Sequence, residues 1–156
     1  MSYSREQWAR SLLASVGNTN PIQNTVDFVV AWTILESVPG RAAFNLLNTT
    51  HNLSIPGTSS DFNAAHVQSF SHYSYGIIAN RNALNDGFYP ALLRALKVND
   101  EDALGFTSGT PSSDILNELS TWCGGCGYGT RLLGLIGDPR TADLFTGDVQ
   151  TVPVQY

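Results

Sequence analysis

The feature that most constrains this chain is an apolar helical run that ends on a charge. Residues 21–36 read Pro-Ile-Gln-Asn-Thr-Val-Asp-Phe-Val-Val-Ala-Trp-Thr-Ile-Leu-Glu. Counting back from Glu36 in helical steps reaches Trp32 after four residues, Val29 after seven and Ile22 after fourteen. Those offsets share one face, so the carboxylate is expected on the same stripe as Trp32, Val29 and Ile22. Apolar burial disfavours the charged form of a carboxyl, and the negative end of the helix dipole does the same. A carboxyl kept protonated near neutral pH is what a general acid requires. The plainer reading of a Glu in a last turn is a solvated surface residue, and the residues after Glu36 weigh against it.

Bulk composition sets the frame. With 156 residues and 42% apolar content, the chain suits one domain with a single core, spanning 1–156. Charged residues are only 13% and the net charge is −5, so the surface is expected to be polar, loop-rich and without a basic patch. Nucleic acid is therefore not an expected partner. No run approaches the roughly 18 apolar residues of a membrane span. The start, Met-Ser-Tyr-Ser-Arg-Glu-Gln-Trp, lacks a signal-peptide core. The expectation is a protein released without the general secretory route, or a domain cut from a larger chain. Cys123 and Cys126 are the only cysteines, and His51, His66 and His72 show no ligand spacing. Neither a metal site nor a cofactor is expected. Two free thiols are the first reading of the cysteine pair, with a local disulfide as the alternative.

Along the chain, Ser4 and Gln7 form a capping box for a helix over about 5–16, with Gly17 as its stop. Asn20 and Pro21 are expected to open the Glu36 helix, and Pro39-Gly40 to end it. From 41 to 70 the helical period disappears. Residues 44–50 read as a short strand or extended loop, 55–60 as a turn, and 67–70 as a returning strand. Ser71 is expected to cap a helix over 72–85, where Gly76 permits close approach. Shorter helices are expected near 88–97, 100–105 and 114–122, the last capped by Ser113. Residues 130–136 read as a short helix or strand, and 141–156 carry turn and extended signals only. The layout is α+β, mostly α, with a small β-like insertion directly after the Glu36 helix.

Trp32 with Glu36, then Asn45-Leu46-Leu47-Asn48-Thr49-Thr50, Val67-Gln68-Ser69-Phe70, Tyr75-Gly76, Asn85-Asp86-Gly87-Phe88-Tyr89 and Leu119-Ser120-Thr121-Trp122 occur in that order. This series resembles the lysozyme-like peptidoglycan glycosidase domains of actinobacterial cell-wall proteins and their phages. Glu36-Ser37 is also similar to the Glu-Ser pair of lytic transglycosylases. The resemblance covers about residues 28–122 and leaves 127–156 as a C-terminal extension. Ser37-Val38 stand where glycines often come after the Glu in such domains, and Leu46 stands where a Pro does.

The resemblance implies a lysozyme-like fold that cleaves the β-1,4 glycan of bacterial cell walls as a muramidase or lytic transglycosylase, with Glu36 as general acid. It implies peptidoglycan strands as the partner and action at the bacterial cell wall, from a phage-released or virion-associated protein or as a module of a larger lysin. Asp61, the only carboxylate of the insertion, is the candidate second carboxylate. Asn48, Thr49 and Thr50 would offer polar contacts to sugar, and Tyr73, Tyr75 and Tyr89 aromatic ones. The competing reading of Tyr73 is core packing, and Trp122 reads as core. In a regular strand Asn45 and Asn48 have opposite parity, so only Asn48 is expected to face the cleft unless a bulge intervenes. The alternative function is a non-catalytic carbohydrate-binding or virion structural module on the same fold. A thiol oxidoreductase using the two cysteines is a third. The cysteines lie beyond the last matching motif and are expected to be dispensable.

Overall fold

Ser4 opens the first helix by the reciprocal bonds its sequence announces. The Gln7 amide donates to Ser4 Oγ (3.1 Å), and Gln7 Oε1 accepts from the Ser4 amide (2.8 Å). The computed structural model describes residues 2–36 and 42–149. The expected stop at Pro39-Gly40 and the Ser37-Val38 departure lie outside the described residues. The elements in chain order are β1 (Tyr3–Ser4), α1 (Arg5–Ser15), α2 (Gln23–Glu36), β2 (Ser59–Asp61), β3 (Gln68–Phe70), α3 (Tyr73–Leu84) and α4 (Pro90–Val98). Then come α5 (Glu101–Leu104), α6 (Ser113–Trp122), 3-10 turns at Tyr128–Thr130 and Leu132–Leu135, α7 (Ala142–Thr146) and β4 (Asp148–Val149). The class is α+β and mostly helical. No helix among the described residues is long and apolar enough to cross a membrane.

The core is built around α2. Val26, Phe28, Val29, Val30, Ala31 and Trp32 are all buried, as are Thr25 and Thr33. Over residues 28–33 the helix is therefore enclosed on every side rather than along one stripe, while Gln23 is exposed and Asp27, Ile34 and Leu35 are partly buried. It packs against α1, α5, α7 and the second 3-10 turn. Its start differs from expectation. Helical structure begins at Gln23, beyond Asn20 and Pro21, and Ile22 is partly exposed outside the helix. Asn20 does not cap it; the Asn20 amide instead donates to the side chain of Asn18 (3.2 Å).

The insertion is a short hairpin with an irregular third lane. β2 and β3 pair antiparallel, with Ser59 opposite Phe70 and Asp61 opposite Gln68. The expected turn at 55–60 thus ends in a strand. Its sequence, Ser-Ser-Asp, has no apolar alternation to announce one. On the other side of β3, the Gln68 amide donates to Thr49 O (3.1 Å) and the Phe70 amide to Ala43 O (3.0 Å). β3 advances two residues between those bonds while the facing segment advances six. The surplus bulges out as turns at 43–48, with Phe44 and Asn48 at positive φ (58° and 57°). No strand forms at 44–50.

Behind the hairpin, α3 presses on this bulge through Gly76. The remaining helices are capped largely as their sequences suggest. Asp100 accepts from the Ala103 amide at α5, and Ser112, one residue before the expected Ser113, accepts from Ile115 at α6. α4 is capped from a distance, since the Glu118 carboxylate accepts from the Ala91 and Leu92 amides (3.1 and 2.9 Å). At α3, His72 is the cap residue and Ser71 Oγ donates to Thr58 O instead. The described part of the tail departs from expectation by forming the helix α7, while β4 follows the extended signal. β4 pairs with β1, so Tyr3 lies opposite Val149.

Candidate active site

Glu36 closes α2, and its side chain is buried (9% exposed). Two residues from distant parts of the chain hold the carboxyl. The Tyr128 hydroxyl donates to Glu36 Oε1. The Asn48 amide donates to Oε2 (3.3 Å) and also to the Glu36 backbone carbonyl. Trp32, one turn earlier on α2, donates its indole N–H to the Tyr128 oxygen (2.7 Å). A relay therefore runs from Trp32 through Tyr128 to the acid.

This enclosure sets the electrostatics. Burial pushes the Glu36 carboxyl above its ordinary value of 4.5, and bonds from Tyr128, Asn48 and Trp32 offset part of that rise. Burial, and then the nearby Glu36 charge, push the Tyr128 hydroxyl up as well. It stays protonated and acts as the donor toward Glu36.

The bulge between α2 and β3 sets the two asparagines apart. Asn45 is buried and ties the bulge together. Its amide donates to Thr49 O (2.9 Å) and Gln68 O (2.7 Å), and its Oδ1 accepts from the Thr49 amide (3.0 Å) and from Asn80 (3.1 Å). Asn48, in the left-handed region that Asn tolerates, reaches Glu36. Asn48 also borders an open cleft of about 120 Å³. Thr49, Thr50 and His51 continue its wall, and Asp86, Tyr89 and Trp122 face them. His51 Nε2 lies 3.3 Å from Asp86 Oδ2. Trp122 is half-buried, not core. Its indole N–H donates to Leu47 O (2.7 Å), and its ring meets Trp32 edge-on (5.0 Å) and leans on Tyr89 (5.1 Å).

Of the residues expected at the site, the structure gathers Glu36, Asn48, Thr49, Thr50 and Tyr89. It places three elsewhere. Asp61 sits exposed on β2, where Oδ2 meets His66 Nδ1 (2.7 Å) and Oδ1 accepts from Gln68 (2.7 Å). Those bonds hold its carboxyl below the ordinary range. It lines a different groove, with Asn52, Ser60 and Gln68, and the carboxylate that shares Asn48's cleft is Asp86. Tyr73 donates to Ser11 Oγ (2.8 Å) and packs on Tyr3 and Phe44, the packing role weighed for it. Tyr75 meets His72 edge-on (5.1 Å) and is not on the cleft wall.

One feature of the site, Tyr128, comes from the extension beyond the matched motifs. Just before it, Cys123 and Cys126 form a disulfide, which corrects the first reading of two free thiols. It forms because Gly124 and Gly125 take positive φ (71° and 95°) and fold the chain back at the end of α6. Opening so short a loop is expected to lower stability by roughly 2 kcal/mol. Denaturant titration with and without reductant measures this, and coincident midpoints would show that the bond adds nothing.

Comparison with protein-family models, curated proteins and solved structures gives no significant match.

Proposed function

We propose that this chain is a peptidoglycan glycosidase that cleaves the β-1,4 glycan backbone, with Glu36 as general acid. One observation carries the reading: a buried carboxyl at the end of α2, its pKa raised by burial, is hydrogen-bonded to Asn48, a residue of an open polar cleft. A module that only bound glycan would have no use for an ionisable group there. Breaking a glycosidic bond requires a proton on the leaving oxygen, and the cation-like transition state requires a partner for positive charge.

We assign that role neither to Asp61, engaged by His66 and Gln68, nor to Asp86 on the cleft wall, which is paired with His51 (3.3 Å). We therefore favour a mechanism with one acid. Glu36 gives its proton to the bridging oxygen as the bond to the anomeric carbon breaks. The sugar's own acetamido oxygen closes on that carbon. A hydroxyl, either of water or of the same sugar, then attacks that carbon and displaces the acetamido oxygen, while the Glu36 carboxylate takes the hydroxyl's proton and is restored. Asn48 and Tyr128 orient the two carboxyl oxygens throughout, and the work is done at the bacterial cell wall.

Mass spectrometry of fragments released from purified walls tests this. New reducing or anhydro sugar ends are the expected products. Release of peptides with intact glycan, or of nothing, would overturn the assignment. Tyr128→Phe should keep the fold but cost about 1–3 kcal/mol, because Trp32 N–H and Glu36 Oε1 each lose a partner in a buried setting. It also removes a bond that lowers the Glu36 pKa, so the alkaline limb of the pH–rate profile should move up. An unmoved limb would deny Tyr128 its positioning role.

A further inference from the structure

The cleft beside Asn48 is lined in part by Asp86 and Tyr89, which flank an exposed aromatic ring, Phe88. Phe88 is 67% exposed, more than any other large apolar side chain among the described residues. Its neighbours Asp86 and Tyr89 both line the cleft. The Phe88 amide donates to Asp86 Oδ1 (3.1 Å), and its ring meets that of Tyr89 edge-on at 6.4 Å. Tyr89 in turn leans on Trp122. The ring is thus presented by a turn fixed on both sides, beside a wall whose polar side chains include Thr50, His51 and Asp86.

The volume of about 120 Å³ is well below the roughly 300–1,000 Å³ of pockets that enclose a whole small ligand. Such a cleft takes one edge of a ligand whose remainder lies in solvent, as a polymer would. A pyranose has an apolar C–H face and a polar rim, which match an aromatic face beside hydroxyl, imidazole and carboxylate groups. No Lys or Arg lines the cleft, while Asp86 adds a carboxylate, so an acidic sugar is disfavoured there.

We infer that Phe88, with Thr50, His51 and Asp86, forms a sugar subsite for an uncharged N-acetylhexosamine of the glycan, stacked by its apolar face on the Phe88 ring. This rests on the glycosidase reading and adds to it which sugar is held, and where.

The test uses the full chain in a Glu36→Gln background, titrated with the β-1,4-linked N-acetylglucosamine tetramer by calorimetry or NMR. Phe88→Ala is expected to weaken binding about tenfold, the order expected of one aromatic face. Phe88→Tyr should retain it, and neither should move the thermal midpoint. Equal affinity for Phe88→Ala and its parent overturns the subsite, as does a parent that does not bind the tetramer. The two readings fail separately. Binding that depends on Phe88 in a chain that cuts no wall keeps the subsite and removes the glycosidase. Wall cleavage with an unchanged KM in Phe88→Ala does the reverse.

Discussion

Glu36→Gln should lower wall cleavage by about 100- to 10,000-fold, the usual contribution of a general acid. The amide keeps the shape of the carboxyl and can still accept from Tyr128, but it has no proton to give. The same substitution should raise stability, in a pH-dependent way. The folded-state pKa of Glu36 lies above its ordinary 4.5, so between those two values the native state binds more protons than the unfolded state. Stability then falls as pH rises through that window, and the burial cost is fully present above the folded pKa. Gln escapes that cost. The thermal midpoint of Glu36→Gln should exceed that of the native chain by more at pH 8 than at pH 4. A gap of equal size at both, together with more than a tenth of native turbidity clearing, would remove Glu36 from the role of acid.

Gly76→Ala is expected to damage both fold and site, against the direction of helix propensity. Propensity alone would favour Ala over Gly inside α3 by about 1 kcal/mol. A Cβ at Gly76, however, would stand 2.0 Å from the Phe44 carbonyl oxygen and 2.8 Å from its carbon. These are backbone atoms, and the same carbonyl accepts from the Trp8 indole (3.2 Å). The bulge would have to move, at a cost of about 1–3 kcal/mol or more for overpacking. The moved segment carries Asn45 and Asn48, so activity should fall beyond what the loss of folded protein explains. Denaturation midpoints together with turnover per folded molecule check this. A midpoint at or above the native one would mean that propensity wins and the approach is not close.

The Glu36 helix was legible because its signals agree: an apolar run of helical length, an ionisable end, and a loss of helical period afterwards. The asparagine pair was legible only in part. Asn48 was chosen for the cleft on the premise of a regular strand, whereas no strand forms there: the bulge that frees Asn48 arises from the mismatch between the Ala43–Phe70 and Thr49–Gln68 bonds, which no local pattern encodes. Tyr128 was not legible. It reaches Glu36 across 92 residues, from a segment too short and glycine-rich to show a period. Its one local sign is a Tyr between two glycines just after the cysteine pair. Tyr73 was legible both as a sugar contact and as core packing, and its contacts with Ser11, Tyr3 and Phe44 decide for packing. Asp61 misled because its place in the insertion was read as its place in the cleft.

The enclosure of α2 has a consequence for how such a protein can change. An α-helix turns about 100° and climbs about 1.5 Å per residue. Glu36 sits at the end of a rod gripped on all sides along residues 28–33, so its aim depends on how Phe28, Val29 and Trp32 are seated as well as on its bonds to Tyr128 and Asn48. A substitution deep among them that lets the rod roll or slide slightly would misdirect the acid without touching the cleft. The wall of the cleft, by contrast, hangs on loops that can be rewritten while the rod stays put. Variation in what is recognised and variation in whether the bond is cut therefore fall on different parts of the chain.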